Sequence, residues 1–182
     1  AQLHEFDFLL QRAAEDLLDR IKVQNRKFET ALCLGASNGY LGTKLKAEGL
    51  IGSHSTAQIN TWIEADITAA MLPEGGLVLD EEHLPIKPQS VDLIVSFWGL
   101  HHVNDLPGAL VQICRALKPD GVFLAALPGN ENLRALQTAF LESQTKILGG
   151  VRPHIHPFAD LRDLAGLMQR AGFDLPVADS DM

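Results

Sequence analysis

The sequence predicts an α/β fold, in which a doubly wound and mainly parallel β-sheet is covered by helices on both faces. Short apolar runs that are typical of buried strands alternate along the chain with amphipathic helical segments, and this alternation is the pattern of βαβ units. Polar or glycine-rich residues also follow each of the first four predicted strands, where ligands bind in sheets of this kind. The expected architecture is therefore Rossmann-like.

The N-terminal part of the chain is predicted to contain two helices and three strands. Residues 9–21 are expected to form an amphipathic helix, because apolar residues recur at helical spacing, at Leu10, Ala14, Leu17 and Ile21. The apolar run at residues 31–34 predicts a buried strand, and a helix is expected over residues 40–48. A second strand is predicted to end at Ala65, and a brief third strand spans residues 77–79.

The rest of the chain is predicted to add two strands and three helices. Residues 91–97 (VDLIVSF) are nearly all apolar and rich in β-branched side chains, as expected for a strand that is covered on both faces. Apolar residues at helical spacing predict a helix over residues 106–117, and residues 122–127 predict another buried strand. Two further helices are expected over residues 133–148 and 158–171.

The length of 182 residues favours a single domain over residues 1–182. An N-terminal helical segment is expected over residues 1–30, a ligand-binding core over 31–127, and helices with the start of the last strands over 128–182. A final strand is expected to begin at Phe173, and the chain ends shortly after it. The sheet is therefore predicted to be incomplete at its C-terminal strands. Either the chain is a fragment of a longer protein, which is favoured, or a partner covers the exposed edge.

Composition excludes several classes of function. The net charge of −8 at pH 7 argues against nucleic-acid binding, and no apolar run approaches the about 20 residues of a membrane-spanning helix. Cys33 and Cys114 form no CxxC pair, so both are expected to be reduced thiols in the cytoplasm. His154 and His156 have a spacing that can hold a metal. No third ligand is evident, so a structural or substrate-side loop is favoured and no metal is predicted.

The segment Gly35-Ala36-Ser37-Asn38-Gly39 lies between the first predicted strand and the following helix. Glycines permit a tight turn and let backbone N–H groups approach a ligand at the positive end of the helix. The alternative is a plain strand-to-helix turn that needs glycine for its geometry alone.

Acidic residues follow the second and third predicted strands. Asp66 is placed to accept the two hydroxyls of a ribose, although it could instead cap the short segment that follows it. Asp80 and Glu81 could accept the amino group of an adenine, or they could form a solvated acidic turn. Together with the glycine-rich loop, these residues predict a nucleoside-containing ligand.

A dehydrogenase is a competing interpretation of the glycine-rich loop. Tyr40 and Lys44 have the Tyr-x-x-x-Lys spacing of short-chain dehydrogenases, but they lie in the helix that the loop itself begins. That position is far from where a nicotinamide would react, and Tyr40 is the only tyrosine of the chain. The dehydrogenase interpretation therefore lacks its acid–base residue.

Five successive segments resemble the motifs of class I S-adenosylmethionine-dependent methyltransferases, in the same order. They are ALCLGASNGY, EADITAAML, LDEEHLPI, FWGLHHVND and RALKPDGVF. The last two resemble especially the branch that contains the biotin-pathway malonyl-carrier-protein methyltransferase and the mitochondrial complex I assembly methyltransferase-like protein. The segment RPHIHPF near the C-terminus is more similar to the latter.

The resemblance implies S-adenosylmethionine as the cofactor and assigns residues to it. The implied cofactor-binding residues are Gly35, Ala36, Ser37, Gly39, Asp66, Ile67, Asp80, Glu81, Ser96 and Phe97. The glycine-rich loop would flank the methionine part, the acids would hold the ribose and frame the adenine, and the end of the fourth strand would lie near the sulfonium. His101 and His102 are candidate catalytic bases. The alternative is that one of them packs beneath the following helix while the other forms a hydrogen bond close to the cofactor.

Two residues depart from the family pattern. Cys33 stands where the family usually has an acidic residue that contacts the ammonium group of the cofactor, and Ser37 replaces the middle glycine of the loop. These departures predict weakened cofactor binding in an intact fold. Changing Cys33 to Asp and Ser37 to Gly is then expected to restore binding.

The sequence thus predicts an S-adenosylmethionine-dependent methyltransferase that acts on a small-molecule, carrier-bound or protein acceptor. It is expected in the cytoplasm, or in the mitochondrial matrix if the source is eukaryotic. One alternative is an assembly or binding protein of methyltransferase fold with weak or no transfer activity. Another is a protein hydroxylase, which the complex I assembly branch implies.

Overall fold

The computed structural model describes residues 7–155 and 158–180. The chain separates into two compact units, residues 1–127 and 128–182. The first unit contains the whole β-sheet, and the second contains two helices. No helix of the described part of the chain is long and apolar enough to cross a membrane.

Five strands form one parallel sheet in the order β3-β2-β1-β4-β5. They are β1 (Phe28–Leu34), β2 (Ile59–Asp66), β3 (Leu77–Val78), β4 (Val91–Phe97) and β5 (Leu117–Ala126). This arrangement confirms the predicted α/β class. The order of the strands reverses between β1 and β4, so the crevice in which such sheets bind ligands lies at the C-terminal ends of these two strands.

The helices are α1 (Phe8–Lys22), α2 (Tyr40–Ala47), α3 (Leu106–Ala116), α4 (Arg134–Leu148) and α5 (Leu161–Ala171). Buried residues of α1 and α2 form one apolar cluster with alternate residues of the central strands, among them Ala31 and Cys33 of β1 and Val95 of β4. Successive side chains of a strand point to opposite faces of the sheet. Leu32 and Leu34 therefore lie on the other face.

Strand β5 begins at Leu117, which the helical spacing had placed in the preceding helix. The backbone of Leu117 is extended, at φ −67° and ψ 140°, and this residue pairs with Val91 of β4. Pro119 disfavours helical backbone at Lys118, which explains why the helix stops. The strand is irregular between its first and later pairings, where Asp120 has a φ of +62°.

The final strand predicted from Phe173 is wrong for the described residues, because residues 173–180 form no strand. The N–H of Phe173 instead donates to the carbonyl of Met168 at 3.1 Å, beyond Gly172, whose φ is +100°. This bond closes the C-terminus of α5. Helix α5 also begins later than predicted, at Leu161, where the Asp160 side chain accepts from the Arg162 N–H at 2.9 Å.

Candidate cofactor site

The residues predicted to bind the cofactor lie at the C-terminal edge of the sheet. The glycine-rich loop follows β1, Asp66 ends β2, Asp80 and Glu81 come after β3, and Ser96 and Phe97 end β4. The parallel arrangement of all five strands explains this, because parallel strands end at the same edge. The sequence had these residues scattered over more than one third of the chain.

The loop after β1 has a left-handed backbone at four positions. The φ angles are +75° at Gly35, +45° at Ser37, +61° at Asn38 and +74° at Gly39. A Cβ at Gly35 would lie 2.4 Å from the Phe97 carbonyl oxygen, so only glycine fits between the ends of β1 and β4. Ser37 has a backbone conformation that is unfavourable for residues other than glycine. The replacement of the family's glycine by serine at this position therefore strains the loop.

Asp66 serves a local structural purpose at the end of β2. Its Oδ1 accepts a hydrogen bond from the Thr68 N–H at 2.9 Å, although the short helix that follows, Ala69–Met71, begins after Thr68 and has no side-chain cap. This bond uses only one of the two carboxylate oxygens. The other oxygen can still accept hydrogen bonds from the hydroxyls of a ribose. The neighbouring Ile67 has 61% of its surface exposed and offers an apolar surface beside the carboxylate.

The segment after β3 is attached to the N-terminal part of α3. Glu82 accepts hydrogen bonds through Oε1 from the backbone N–H of Asn104 and, at 3.3 Å, from that of Asp105. The Gln112 side chain donates to the Glu82 carbonyl at 2.6 Å and accepts from the Leu84 N–H at 3.0 Å. These bonds fix the loop that carries Asp80 and Glu81, and sequence reasoning did not identify Glu82 or Gln112 as its anchors.

Glu81 is buried next to the loop that follows β4. A Cβ at Gly99 would lie 2.7 Å from Glu81 Oε1, so this glycine makes room for the carboxylate. Burial raises the pKa of Glu81, and the nearby negative charges of Asp66, Asp80 and Glu82 raise it further against the lowering effect of its own backbone N–H. Carboxylates therefore crowd this edge of the sheet, which favours a ligand with positive charge or hydrogen-bond donors.

Ser96 and Phe97 turn their side chains into the protein. Both residues are fully buried, and the Phe97 ring stacks on the Tyr40 ring with 6.2 Å between centroids. The Ser96 hydroxyl has no hydrogen-bond partner among the described residues. Only the backbone of this strand end is therefore placed to line a ligand site, together with the loop that follows it.

His101 and His102 lie in a short turn, Leu100–His102, after β4. Their ring centroids are 3.7 Å apart, and the His101 ring meets the Trp98 ring edge-on at 6.0 Å. His101 is half-buried in this contact, whereas His102 is exposed. The packing role fits His101, and His102 is the histidine that solvent or a substrate can reach.

Cys33 is buried in β1, and burial raises the pKa of its thiol well above the ordinary value, with further contributions from the charges of Glu64 and Asp66. The thiol is therefore neutral. Glu64 lies opposite Cys33 on β2 and is 9% exposed, although sequence reasoning did not single it out. The only feature of the sequence that could have identified Glu64 is an acidic residue within a partly apolar strand.

No group of three or more metal-binding side chains occurs in residues 7–155 and 158–180. His154 instead stacks on Phe140, with 5.1 Å between ring centroids. His156, the other member of the predicted pair, lies outside the described residues.

Comparisons with known proteins agree with this geometry. The chain is 39% identical over 97% of its length to human "Arginine-hydroxylase NDUFAF5, mitochondrial", and 27% identical over 94% to "Malonyl-[acyl-carrier protein] O-methyltransferase" of Methylovorus. It covers 51% and 59% of these proteins, so it spans about half the length of the curated relatives it matches.

The phosphoethanolamine N-methyltransferase 2 of Haemonchus contortus, solved with S-adenosyl-L-methionine, is 16% identical. It superposes with a TM-score of 0.63 over 89% of this chain and 36% of that protein. The profile of the family described as "Methyltransferase domain" matches residues 32–125, and the chain belongs to this family.

Proposed function

We propose that this chain is the cofactor-binding part of an S-adenosylmethionine-dependent methyltransferase. S-adenosylmethionine is the cofactor of the family, and the observation that carries the proposal is the close approach of the β1 and β4 loops at Gly35. A Cβ there would lie 2.4 Å from the Phe97 carbonyl oxygen and 3.0 Å from the Gly99 nitrogen. This bare backbone, bordered by buried and partly buried carboxylates, fits an adenosyl amino acid better than it fits an anionic ligand.

The residues present fit the parts of that cofactor. The loop from Gly35 to Gly39 would offer backbone groups to the methionine part, and Asp66 would accept the ribose hydroxyls. Asp80 and Glu81 would accept the adenine amino group, with Ile67 against the ring. When bound, the cofactor supplies a methyl group on a positively charged sulfur, which leaves as a neutral thioether.

The contribution of the protein to such a transfer is alignment and the exclusion of water. His102 is exposed in the turn after β4, so it is the residue of this pair that could accept a proton from an acceptor group. His101 would hold the turn in place through Trp98. We infer that the acceptor is a small molecule, a carrier-bound acid or a protein side chain.

Titration calorimetry with S-adenosylhomocysteine tests the proposal directly. The chain should bind this ligand, and Asp66→Ala should weaken binding at least tenfold, because two hydroxyl contacts to a charged acceptor are lost. Asp163→Ala, in the first turn of α5, is the matched control and should leave affinity unchanged. A folded chain that binds no adenosyl ligand at millimolar concentration would instead support an assembly or binding protein of methyltransferase fold.

A second candidate function follows from the relative that is 39% identical, whose name describes an arginine hydroxylase. The acidic edge around Asp66, Asp80 and Glu81 also suits a guanidinium group. Mass spectrometry of an arginine-containing peptide separates the two activities, when the peptide is incubated in air with the full-length protein, S-adenosylmethionine and a two-electron reductant. Methyl transfer needs only S-adenosylmethionine, whereas hydroxylation takes its oxygen from dioxygen and its electrons from the reductant. A mass gain of one methylene group indicates methyl transfer, and a gain of one oxygen atom indicates hydroxylation. The same name includes the word mitochondrial, which supports a mitochondrial location for this chain.

A further inference from the structure

Glu64 is a buried carboxylate that the packing of the protein does not satisfy. Its Oε1 accepts a hydrogen bond from the Trp62 indole N–H at 2.9 Å. Its Oε2 is buried and has no hydrogen-bond partner among the described residues. An unsatisfied buried carboxylate oxygen is costly, so its retention at this position calls for a function.

The carboxylate lies directly beneath the glycine-rich loop. A Cβ at Gly39 would be 3.1 Å from Glu64 Oε2, and a Cβ at Gly42 would be 2.0 Å from Oε1. Gly39 ends the loop and Gly42 lies in the first turn of α2. The two glycines therefore let the loop and the helix settle onto the carboxylate, which places its charge within a few ångströms of the loop backbone.

No cation in the described part of the chain neutralises this charge. Glu64 takes part in no ion pair there, and Lys44 of the adjoining helix α2 pairs with Glu15 at 3.6 Å. Cys33, which lies opposite Glu64 on β1, contributes a neutral thiol. Because a buried charge is weakly screened, the electric field of Glu64 acts on any ligand that binds at the glycine-rich loop.

We propose that Glu64 balances the positive charge of the ammonium group of the cofactor. The family usually has its acid on β1, at the position of Cys33, whereas Glu64 lies on the adjacent strand β2. This inference rests on the proposed function, because it assumes an adenosyl amino acid over the loop. Glu64 is then a positioning residue that acts through the loop at Gly39. The carboxylate missing at Cys33 is supplied one strand away.

Three ligands distinguish this role from a purely structural one. S-adenosylmethionine and S-adenosylhomocysteine both carry the ammonium and carboxylate groups of an amino acid, whereas 5′-methylthioadenosine has the nucleoside and sulfur without either. Loss of a negative charge at Glu64 cannot weaken contacts with a carboxylate, so weaker binding would report on the ammonium group. Glu64→Gln keeps an acceptor for the Trp62 N–H and removes the charge. We expect it to weaken binding of the first two ligands by roughly tenfold and to leave binding of 5′-methylthioadenosine unchanged, as measured by calorimetry.

Two further variants complete the experiment. Glu29→Gln removes an exposed carboxylate from β1 and should change none of the three affinities. Cys33→Asp combined with Glu64→Gln should recover affinity for the two ammonium ligands, because it returns a carboxylate to the adjacent position on the same face.

The other outcomes are informative. If Glu64→Gln weakens all three ligands equally, or weakens none, the inference is overturned while the proposed function stands. If the unmodified chain binds none of the three, the proposed function fails and the inference fails with it. Retained binding of 5′-methylthioadenosine by Glu64→Gln also shows that the variant is folded.

Discussion

A methyl group added at Gly35 tests how closely the loops after β1 and β4 approach each other. Gly35→Ala would bring a Cβ to 2.4 Å from the Phe97 carbonyl oxygen and 3.0 Å from the Gly99 nitrogen. Both neighbours are backbone atoms, one at the end of β4 and one in the loop that follows it, so neither can move aside as a flexible side chain would. The backbone at Gly35 also has a φ of +75°, which alanine disfavours.

The two contributions can be separated, because Gly75 has nearly the same φ angle but lies in open space. Its φ is +82°, and a Cβ there would meet no atom within 4 Å. Gly75→Ala therefore bears only the left-handed backbone penalty, about 1–2 kcal/mol. Gly35→Ala adds the cost of overpacking, about 1–3 kcal/mol, so its free energy of unfolding should fall by about 2–5 kcal/mol.

Urea unfolding followed by circular dichroism measures the free energy of unfolding of the two variants, each of which differs from the parent chain by one methyl group. Gly35→Ala should also lose detectable binding of S-adenosylhomocysteine, whereas Gly75→Ala should bind it like the parent chain. Equal destabilisation by the two substitutions would refute the reasoning, since it would mean that the β1 and β4 loops have room for a side chain.

Three further substitutions test charges at the two ends of the sheet and the backbone of the glycine-rich loop. Burial works to raise the pKa of Asp92, but hydrogen bonds from Lys118 and the Thr30 N–H, with the Lys118 charge, lower it overall. Asp92→Asn should therefore cost about 1 kcal/mol at pH 7, and in pH-dependent unfolding this cost should disappear as the pH falls below 3.8. The pKa of Glu81 is raised by burial and then by neighbouring acids. Glu81→Gln should thus stabilise the ligand-free chain at pH 7, with a gain that shrinks toward pH 4.5. Ser37→Gly should stabilise the chain by up to about 1 kcal/mol in thermal unfolding, because it relieves a left-handed serine.

The parts of the fold that the sequence predicted best are those where one local signal acts alone. Residues 91–97 were predicted as a strand, and β4 spans Val91–Phe97, because a short run of apolar, β-branched residues is typical of a strand buried on both faces. The location of the site was also predictable, since any loop that follows a parallel strand lies at the same edge of the sheet.

The boundaries that sequence reasoning misplaced were decided by hydrogen-bond partners, one distant in sequence and one within the same helix end. Leu117 continues the apolar spacing of α3, yet pairing with Val91 draws it into β5. Phe173 resembles the start of a strand, yet its N–H closes α5 by bonding to Met168. In both cases a hydrogen-bond partner decided the outcome, and spacing along the chain carries no information about that partner.

Glu64 was missed for a related reason. An acid that alternates with apolar residues in a strand is normally exposed, so the pattern of β2 offered no reason to single out this residue. Burial of Glu64 results from α2, whose Gly42 has no side chain to keep the helix away. Only the parallel pairing of β1 with β2 brings it beside Cys33.

This pairing changes what a substitution at Cys33 is expected to do. On sequence grounds, Cys33→Asp should strengthen cofactor binding by restoring the acid of the family. In the folded chain the new carboxylate would lie opposite Glu64 in a buried part of the sheet, where two like charges repel each other. We therefore expect Cys33→Asp alone to lower the free energy of unfolding at pH 7 by roughly 1–3 kcal/mol without improving affinity. Urea unfolding should show that this loss is largely removed when Glu64→Gln is added. Stability unchanged by Cys33→Asp would contradict the argument that the two positions share the space and the role of a single carboxylate.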